Sequence, residues 1–215
     1  MKTSVVVVTY RRLKNLGRIL EAWLAETPDV WLCDCSEAGF ETSLPVKILR
    51  TTPDPGNRIR HAVAALMTEG DLVIKADDDV LPRPGLAADF VAAACTCGPG
   101  IFGIHGRTFQ GPHYYAQTTM VGAKQLQAPQ PVDFVGVVTA SPREFLPMDL
   151  RDCPSAVEDL YWQMACYPRA PKYVISSQAF MNLAESKDQG RLCGTPESRA
   201  VRVAYFRELY ERNYR

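Results

Sequence analysis

Residues 1 to 95 alternate short β-branched runs with segments of helical periodicity. Thr3 to Thr9 holds four consecutive valines, the pattern of a strand buried on both faces. Arg11 to Ala25 places Leu13, Leu16, Ile19, Leu20, Trp23 and Leu24 at offsets of three and four, which predicts an amphipathic helix. Val30 to Cys33 and Val46 to Leu49 predict two more short strands. Pro53 and Pro55 then break the chain, and Gly56 leads into a second helix. Its Ile59, Ala62, Val63 and Leu66 share a face, and Gly70 lies past its end. Leu72 to Lys75 predicts a fourth strand that runs into Asp77-Asp78-Asp79, and a third helix follows Pro84, about Gly85 to Ala94. This order predicts an α/β fold with a Rossmann-like, mostly parallel sheet flanked by helices. Ligands of such sheets bind beyond the carboxyl ends of the strands. The clusters Thr9-Tyr10-Arg11-Arg12, Asp34-Cys35-Ser36 and the aspartate triplet all fall there.

The second half reads differently. Residues 96 to 140 mix glycine, aromatic and β-branched residues, which predicts a small mixed-sheet part. Ser155 to Cys166 predicts a helix with Ser155 at its N-cap, Lys172 to Ser176 a strand, 180 to 196 a loop, and Pro196 to Tyr210 a terminal helix. At 215 residues the chain suits one domain with a sizeable core. Its 47% apolar and 22% charged residues exclude a disordered or collagen-like chain. Lysine plus arginine (24) equals aspartate plus glutamate (24), so no global field draws it to nucleic acid or anionic membrane. No apolar run approaches the ~18 residues of a membrane span, and no signal peptide is recognisable, so a cytoplasmic location is expected. The seven cysteines are odd in number, and two pairs have C-x-C spacing, Cys33 with Cys35 and Cys95 with Cys97. That spacing favours free thiols in a reducing compartment over a zinc site.

Three consecutive carboxylates ending an apolar strand repel one another and resist burial. A hard divalent cation, Mg²⁺ or Mn²⁺, would relieve that repulsion. On an extended segment Asp77 and Asp79 point the same way and could share such an ion, while Asp78 points elsewhere. A solvated acidic turn or helix cap is the plainer alternative.

The segment Gly70-Asp71-Leu72-Val73-Ile74-Lys75-Ala76-Asp77-Asp78-Asp79-Val80-Leu81-Pro82 resembles the nucleotide-sugar glycosyltransferases of GT-A fold. It is closest to glycosyltransferase family 2, with some likeness to the exostosin type. Ser4 to Arg12 is similar to that family's opening strand and T-Y-N-R turn, with Arg11 in the asparagine place. Leu32 to Ser36 is similar to its second strand, and Gly56 to Ala62 to its G-x-x-x-A-R-N-x-G run, with His61 in the asparagine place. The resemblance implies one GT-A-like domain over 1–215, with a nucleotide-sugar-binding half, 1–95, and an acceptor-binding and catalytic-base half, 96–215. It implies that Thr9, Tyr10 and Arg12 line the nucleotide pocket and that Asp34 holds the base, typically uracil. Arg60 would sit near the diphosphate or brace the aspartates. Asp77 or Asp78 would touch ribose or sugar, and Asp79, with Asp77, would ligate Mn²⁺ or Mg²⁺. Each also has a plainer reading: Thr9 as a strand end, Asp34 as a turn former, Arg12 and Arg60 as surface arginines.

In the same family an acidic pair early in a late helix supplies the general base. Asp159 is the first candidate and Glu158 the second; stabilisation of the helix dipole is the alternative, and Asp149 and Asp152 compete. Family members often carry a late histidine in the metal shell. Here the histidines are His61, His105 and His113, which implies fewer protein ligands or a weaker cation dependence. Six arginines lie in 191–215: Arg191, Arg199, Arg202, Arg207, Arg212 and Arg215. They fit a solvated helix face or a basic edge that meets an anionic acceptor.

The expected activity is metal-dependent transfer of a sugar from a nucleotide-diphosphate donor, UDP-linked by resemblance, to a hydroxyl acceptor. That acceptor could be a glycan, a lipid carrier, a protein or a modified nucleic acid. Inversion with an aspartate base follows the family 2 likeness; the exostosin likeness would suggest retention. A partner chain or a homo-oligomer could complete a short acceptor-binding part. The alternatives are a non-catalytic nucleotide-sugar-binding subunit and, more remotely, a phosphatase of D-x-D-x-T/V type, whose fifth position is Leu81 here.

Overall fold

The first strand, β1 (Thr3–Thr9), sends Val5 and Val7 into the core on one face of a sheet and Val6 and Val8 into the core on the other. All four are buried, which is why this run shows no polar alternation. The computed structural model describes residues 1–51, 58–147, 150, 153, 157–183 and 195–214. Pro53, Pro55, Gly56, Asp149, Asp152, Ser155, Arg191, Cys193 and Arg215 lie outside the described residues.

After β1 come α1 (Leu16–Leu24), β2 (Val30–Asp34), β3 (Lys47–Arg50), α2 (Arg58–Leu66), β4 (Leu72–Asp77), β5 (Val80–Pro82) and α3 (Leu86–Cys97). The second half follows with β6 (Ile101–Phe109), β7 (Thr118–Gly122), β8 (Gln130–Pro131), β9 (Phe134–Pro142), α4 (Glu158–Leu160), β10 (Lys172–Val174), β11 (Phe180–Asn182) and α5 (Pro196–Tyr214). The large sheet has the order β3-β2-β1-β4-β9-β6-β10-β8, with β7 added to β6. Its first four strands are parallel. From β9 onward the pairing is mixed, antiparallel at β4–β9, β6–β9 and β6–β7 and parallel at β6–β10. β5 and β11 form a separate antiparallel pair. This is the expected α/β class, with the parallel block in the first half and the mixed extension in the second.

One face of the sheet packs Leu16, Ile19, Leu20 and Trp23 of α1 with Leu86 and Phe90 of α3; the other packs Val63 and Ala64 of α2. A third cluster joins Tyr114 and Phe134 to Leu160, Met164, Phe206 and Leu209, and it seats α5. Gly70 has a steric role: a Cβ there would sit 2.6 Å from the Ser4 nitrogen and hydroxyl. Its N–H instead donates to Ser4 Oγ at 2.7 Å, which locks the entry of β4 against β1.

Several boundaries differ from the sequence reading. The first helix starts at Leu16, not Arg11, because residues 10–15 form a turn that swings Arg12 across to the aspartates. The third helix runs on to Cys97 and the terminal one to Tyr214. β11 forms in a stretch expected to be a loop and pairs with the short β5 that follows the triplet, each satisfying the other's backbone. The late helix widens over Tyr161–Cys166 into a π-type turn, after which the Tyr167 N–H reaches five residues back to the Trp162 carbonyl at 3.1 Å. Six cysteines, Cys33, Cys35, Cys95, Cys97, Cys153 and Cys166, are free thiols. Among the described residues no helix is long and apolar enough to cross a membrane.

Candidate functional site

β1 and β4 are adjacent and parallel, so both end on the same edge of the sheet. That edge opens on a cavity of about 470 Å³. Thr9, Tyr10, Arg12, Asp77, Asp78, Asp79 and Asp159 line it together. Thr9 ends β1 and donates its hydroxyl to Asp78 at 2.9 Å. Arg12 donates to Asp78 at 3.1 Å and to Asp79 at 2.8 Å. Arg60, on α2, donates to Asp77 at 2.5 Å and lies 3.6 Å from Glu158.

The triplet does not continue as an extended strand. β4 ends at Asp77 and the chain turns through Asp78 and Asp79 into β5. Asp78 backs onto Thr9 and is buried, while the side chains of Asp77 and Asp79 keep 32% and 29% exposure. Burial pushes the Asp78 carboxyl up to about 6, against the pull of Arg12 and the Thr9 hydrogen bond. Burial also raises Asp77, opposed by Arg60. The lining carboxylates of this wall thus outnumber its lining guanidiniums, three to one.

Asp159, at the start of α4, lines the same cavity. Arg202 of α5 grips it with two hydrogen bonds, at 3.0 and 2.6 Å, and donates to the Tyr114 hydroxyl at 3.0 Å. The Leu160 N–H adds a bond at 2.8 Å. Burial would raise this carboxyl, but Arg202, Arg60 and the Leu160 N–H outweigh it and hold Asp159 below the usual carboxylate value.

Three other expected residues are not in the cavity wall. Asp34 is buried, with one oxygen accepting from the Ser36 N–H at 3.0 Å and its hydroxyl at 2.5 Å, and the other from the Phe40 N–H at 2.6 Å. Its carboxylate organises the turn after β2, the plainer of its two readings. Arg60 and Glu158 sit behind the wall as a buried ion pair. Lys75 lies there too, its Nζ 2.9 Å from the Trp162 ring centroid, and burial drives its pKa well down.

The structure adds Arg107, Tyr114, Tyr115 and Val137, which the sequence did not single out, to the cavity lining. Of the late arginines read as a solvated face or a basic edge, Arg199 and Arg202 reach the cavity from α5. Arg202 had a readable signal: Arg202, Phe206 and Leu209 are the buried residues of α5, at helical spacing, so an arginine occupies a place on the apolar stripe. Val137 has φ 71°, a costly conformation for a β-branched residue, at an irregularity in the β6–β9 pairing.

Among the described residues no three His, Cys, Asp or Glu side chains group closely enough to hold a metal ion alone. Asp77 and Asp79 nevertheless offer hard oxygen donors into the cavity. Mg²⁺ is commonly held by one or two carboxylates plus substrate phosphates and water, so the donor set fits such an ion arriving with a diphosphate.

The sequence matches no protein-family model and no curated protein. Its fold does have solved counterparts. It is similar to Staphylococcus aureus TarS 1–349 with a TM-score of 0.59 and 19% identity, over 86% of this chain and 61% of that one. TarS 1–349 in complex with UDP-GlcNAc gives a TM-score of 0.56 and 20% identity, over 84% and 57% of the two chains. The complex with UDP gives 0.56 and 19%, over 84% and 59%. The present chain therefore spans about three-fifths of the length of TarS 1–349. At this identity the likeness establishes the fold, the GT-A type that the sequence motifs anticipate.

Proposed function

We propose that the cavity binds a nucleotide-diphosphate sugar and transfers the sugar to a hydroxyl group of an acceptor. The observation that carries this reading is the convergence of Thr9, Arg12, the three aspartates and Asp159 on one cavity at the strand ends of a GT-A-type sheet. The complexes of TarS with UDP and UDP-GlcNAc support a uridine nucleotide as the donor.

In this reading Arg12 and the edge beyond Thr9 face the diphosphate, and Asp77 and Asp79 hold Mn²⁺ or Mg²⁺. That ion would neutralise the charge that develops on the leaving diphosphate. Asp159 stands on the opposite wall as general base. It accepts the proton of the acceptor hydroxyl as the oxygen attacks the anomeric carbon; the bond to the diphosphate breaks on the far side, which inverts the centre. Arg202 keeps Asp159 ionised and aimed, and the same grip weakens it as a base. Glu158, ion-paired behind the wall, is the poorer candidate.

A thermal-stability panel tests the donor site, with nucleoside diphosphates and nucleotide-sugars each melted with and without Mn²⁺ or Mg²⁺. At about 100 times the dissociation constant, a ligand specific to the native state adds about 2.7 kcal/mol. A rise with a uridine nucleotide that needs the metal and is lost in Asp79→Ala is the expected result. Equal melting with every nucleotide would refute the reading.

A further inference from the structure

The wall facing the aspartates carries the opposite imbalance. Arg107, Arg199 and Arg202 line it against one carboxylate, Asp159. Arg202 is committed to that carboxylate. Arg107 and Arg199 have no carboxylate partner among the described residues, whereas Arg12 and Arg60 each have two and Arg202 has Asp159.

Arg107 is held ready. Its guanidinium lies 4.6 Å from the Tyr114 ring centroid and 5.9 Å from that of Tyr115, and it donates to Thr118 Oγ1 at 2.7 Å. Stacking leaves the planar fork oriented while its other N–H groups meet no acceptor among the described residues. The Arg202 guanidinium lies 4.6 Å from the same Tyr114 ring, so two cations share one aromatic residue. Arg199 is on the stripe of Arg202 and Phe206, one turn nearer the helix start, and it is exposed. Tyr115 beside them is 41% exposed, a flat apolar face at the cavity mouth. The strained Val137 bulge shapes the same wall, and such strain persists where the surroundings over-determine it.

We infer that this wall binds an oxyanion, a phosphate or carboxylate, carried by the acceptor beside its reacting hydroxyl. The inference rests on the reading of the cavity as a glycosyl-transfer site. Arg107 and Arg199 take the oxyanion, Tyr115 covers a face of the acceptor, and Asp159 is left to meet the hydroxyl. The donor diphosphate stays at the opposite wall with Arg12.

Calorimetry distinguishes the two. UDP with Mn²⁺ is first titrated into the protein, which reads the donor site alone. Glucose 6-phosphate, glucuronate and glucose are then each titrated into the UDP-loaded protein. An anionic sugar should bind about tenfold or more tighter than glucose, and Arg107→Gln and Arg199→Gln should each remove about tenfold of that preference. Arg199→Lys should retain part of it. The phosphate and carboxylate arms show which oxyanion fits. If UDP does not bind, the donor reading fails, and the sugars are titrated into the unloaded protein with the same comparison of variants. No preference for either anionic sugar would overturn the inference, as would a preference that both glutamine variants retain. Displacement of UDP by the anionic sugar would also overturn it, because the arginines would then belong to the donor site. Arg199 is exposed, so its variants test the inference even if Arg107→Gln fails to fold.

Discussion

Three carboxylates and one guanidinium line the cavity wall at the ends of β1 and β4; three guanidiniums and one carboxylate line the wall opposite. The two walls also differ in how they are held. The first is part of the parallel sheet, where β1 and β4 pair from Thr3 with Leu72 to Val8 with Asp77. The second depends on α5, which reaches the body through the smaller cluster around Phe206 and Leu209. An acid-rich edge backed by a sheet suits a cation that must be held rigidly. A basic wall carried partly by a terminal helix suits a ligand that has to enter and leave. The contrast is one of charge and of local stability, and each part can be tested separately.

The largest expected effect is on the wall with a single acid. Asp159→Asn should cut transfer by about 10³-fold, roughly 4 kcal/mol of barrier, while UDP binding stays at the wild-type level. Transfer within about threefold of wild type would remove Asp159 from the base role.

Next comes the difference in anchoring. Phe90 and Phe206 are both fully buried, one in the main core and one under α5. Phe90→Ala should lower global stability by about 3–5 kcal/mol. Phe206→Ala should mainly release α5, so hydrogen exchange speeds up in residues 196–214 more than in β1 or β4. Equal loss of protection in both regions would show that α5 is part of one cooperative unit with the sheet.

The excess of negative charge at the first wall should appear in pH dependence. Burial holds the Asp78 carboxyl at about 6 when folded, against an ordinary value of 3.8. Its folded pKa is the higher one, so the native state binds more protons in that window, and this group's contribution falls as pH rises through it. Asp78→Asn removes the penalty. Chemical denaturation should show the variant gaining about 3 kcal/mol on wild type between about pH 4 and about pH 7. A stability difference independent of pH would mean that Arg12 and Thr9 already offset the burial.

The smallest effect separates aim from basicity. Arg202→Lys keeps the charge near Asp159 but loses the two-point grip. Transfer should drop about tenfold, about 1.4 kcal/mol, with KM for the donor unchanged, and Arg202→Gln should drop it further and move the acid limb of the rate profile upward. An unmoved acid limb would show that Arg202 acts through packing on Tyr114 alone.

How much of this was legible follows from which interactions are local. The valines of β1, the apolar faces of α1 and α2, and polar residues at strand ends report burial and periodicity, which neighbouring residues encode directly. They sufficed to expect the parallel block and to bring Thr9, Tyr10, Arg12 and the triplet to one edge. Asp159 was legible as an acid opening a late helix. The alternation argument for Asp77 and Asp79 misjudged the backbone, because the chain turns after β4 so that Arg12 can bridge Asp78 and Asp79. Asp34 was placed at the right strand end, but which donors its carboxylate meets depends on the fold of the next six residues.

The sequence alone determined the class of the sheet, the edge where polar groups gather and the acids that stand there, because these follow from periods of two and 3.6 residues and from strand order. Only the tertiary structure decided the opposite wall. Arg107 reaches the cavity because β6 pairs with β9, next to β4, and Arg202 because α5 folds back over Tyr114 and Phe134. The orientation of a charged side chain toward solvent or toward a cavity is set by contacts far along the chain; the helical spacing of Arg202 with Phe206 and Leu209 marks it for burial but does not say against what. The charge balance is zero over the whole sequence, yet the fold divides it into an acidic wall and a basic wall across one cavity.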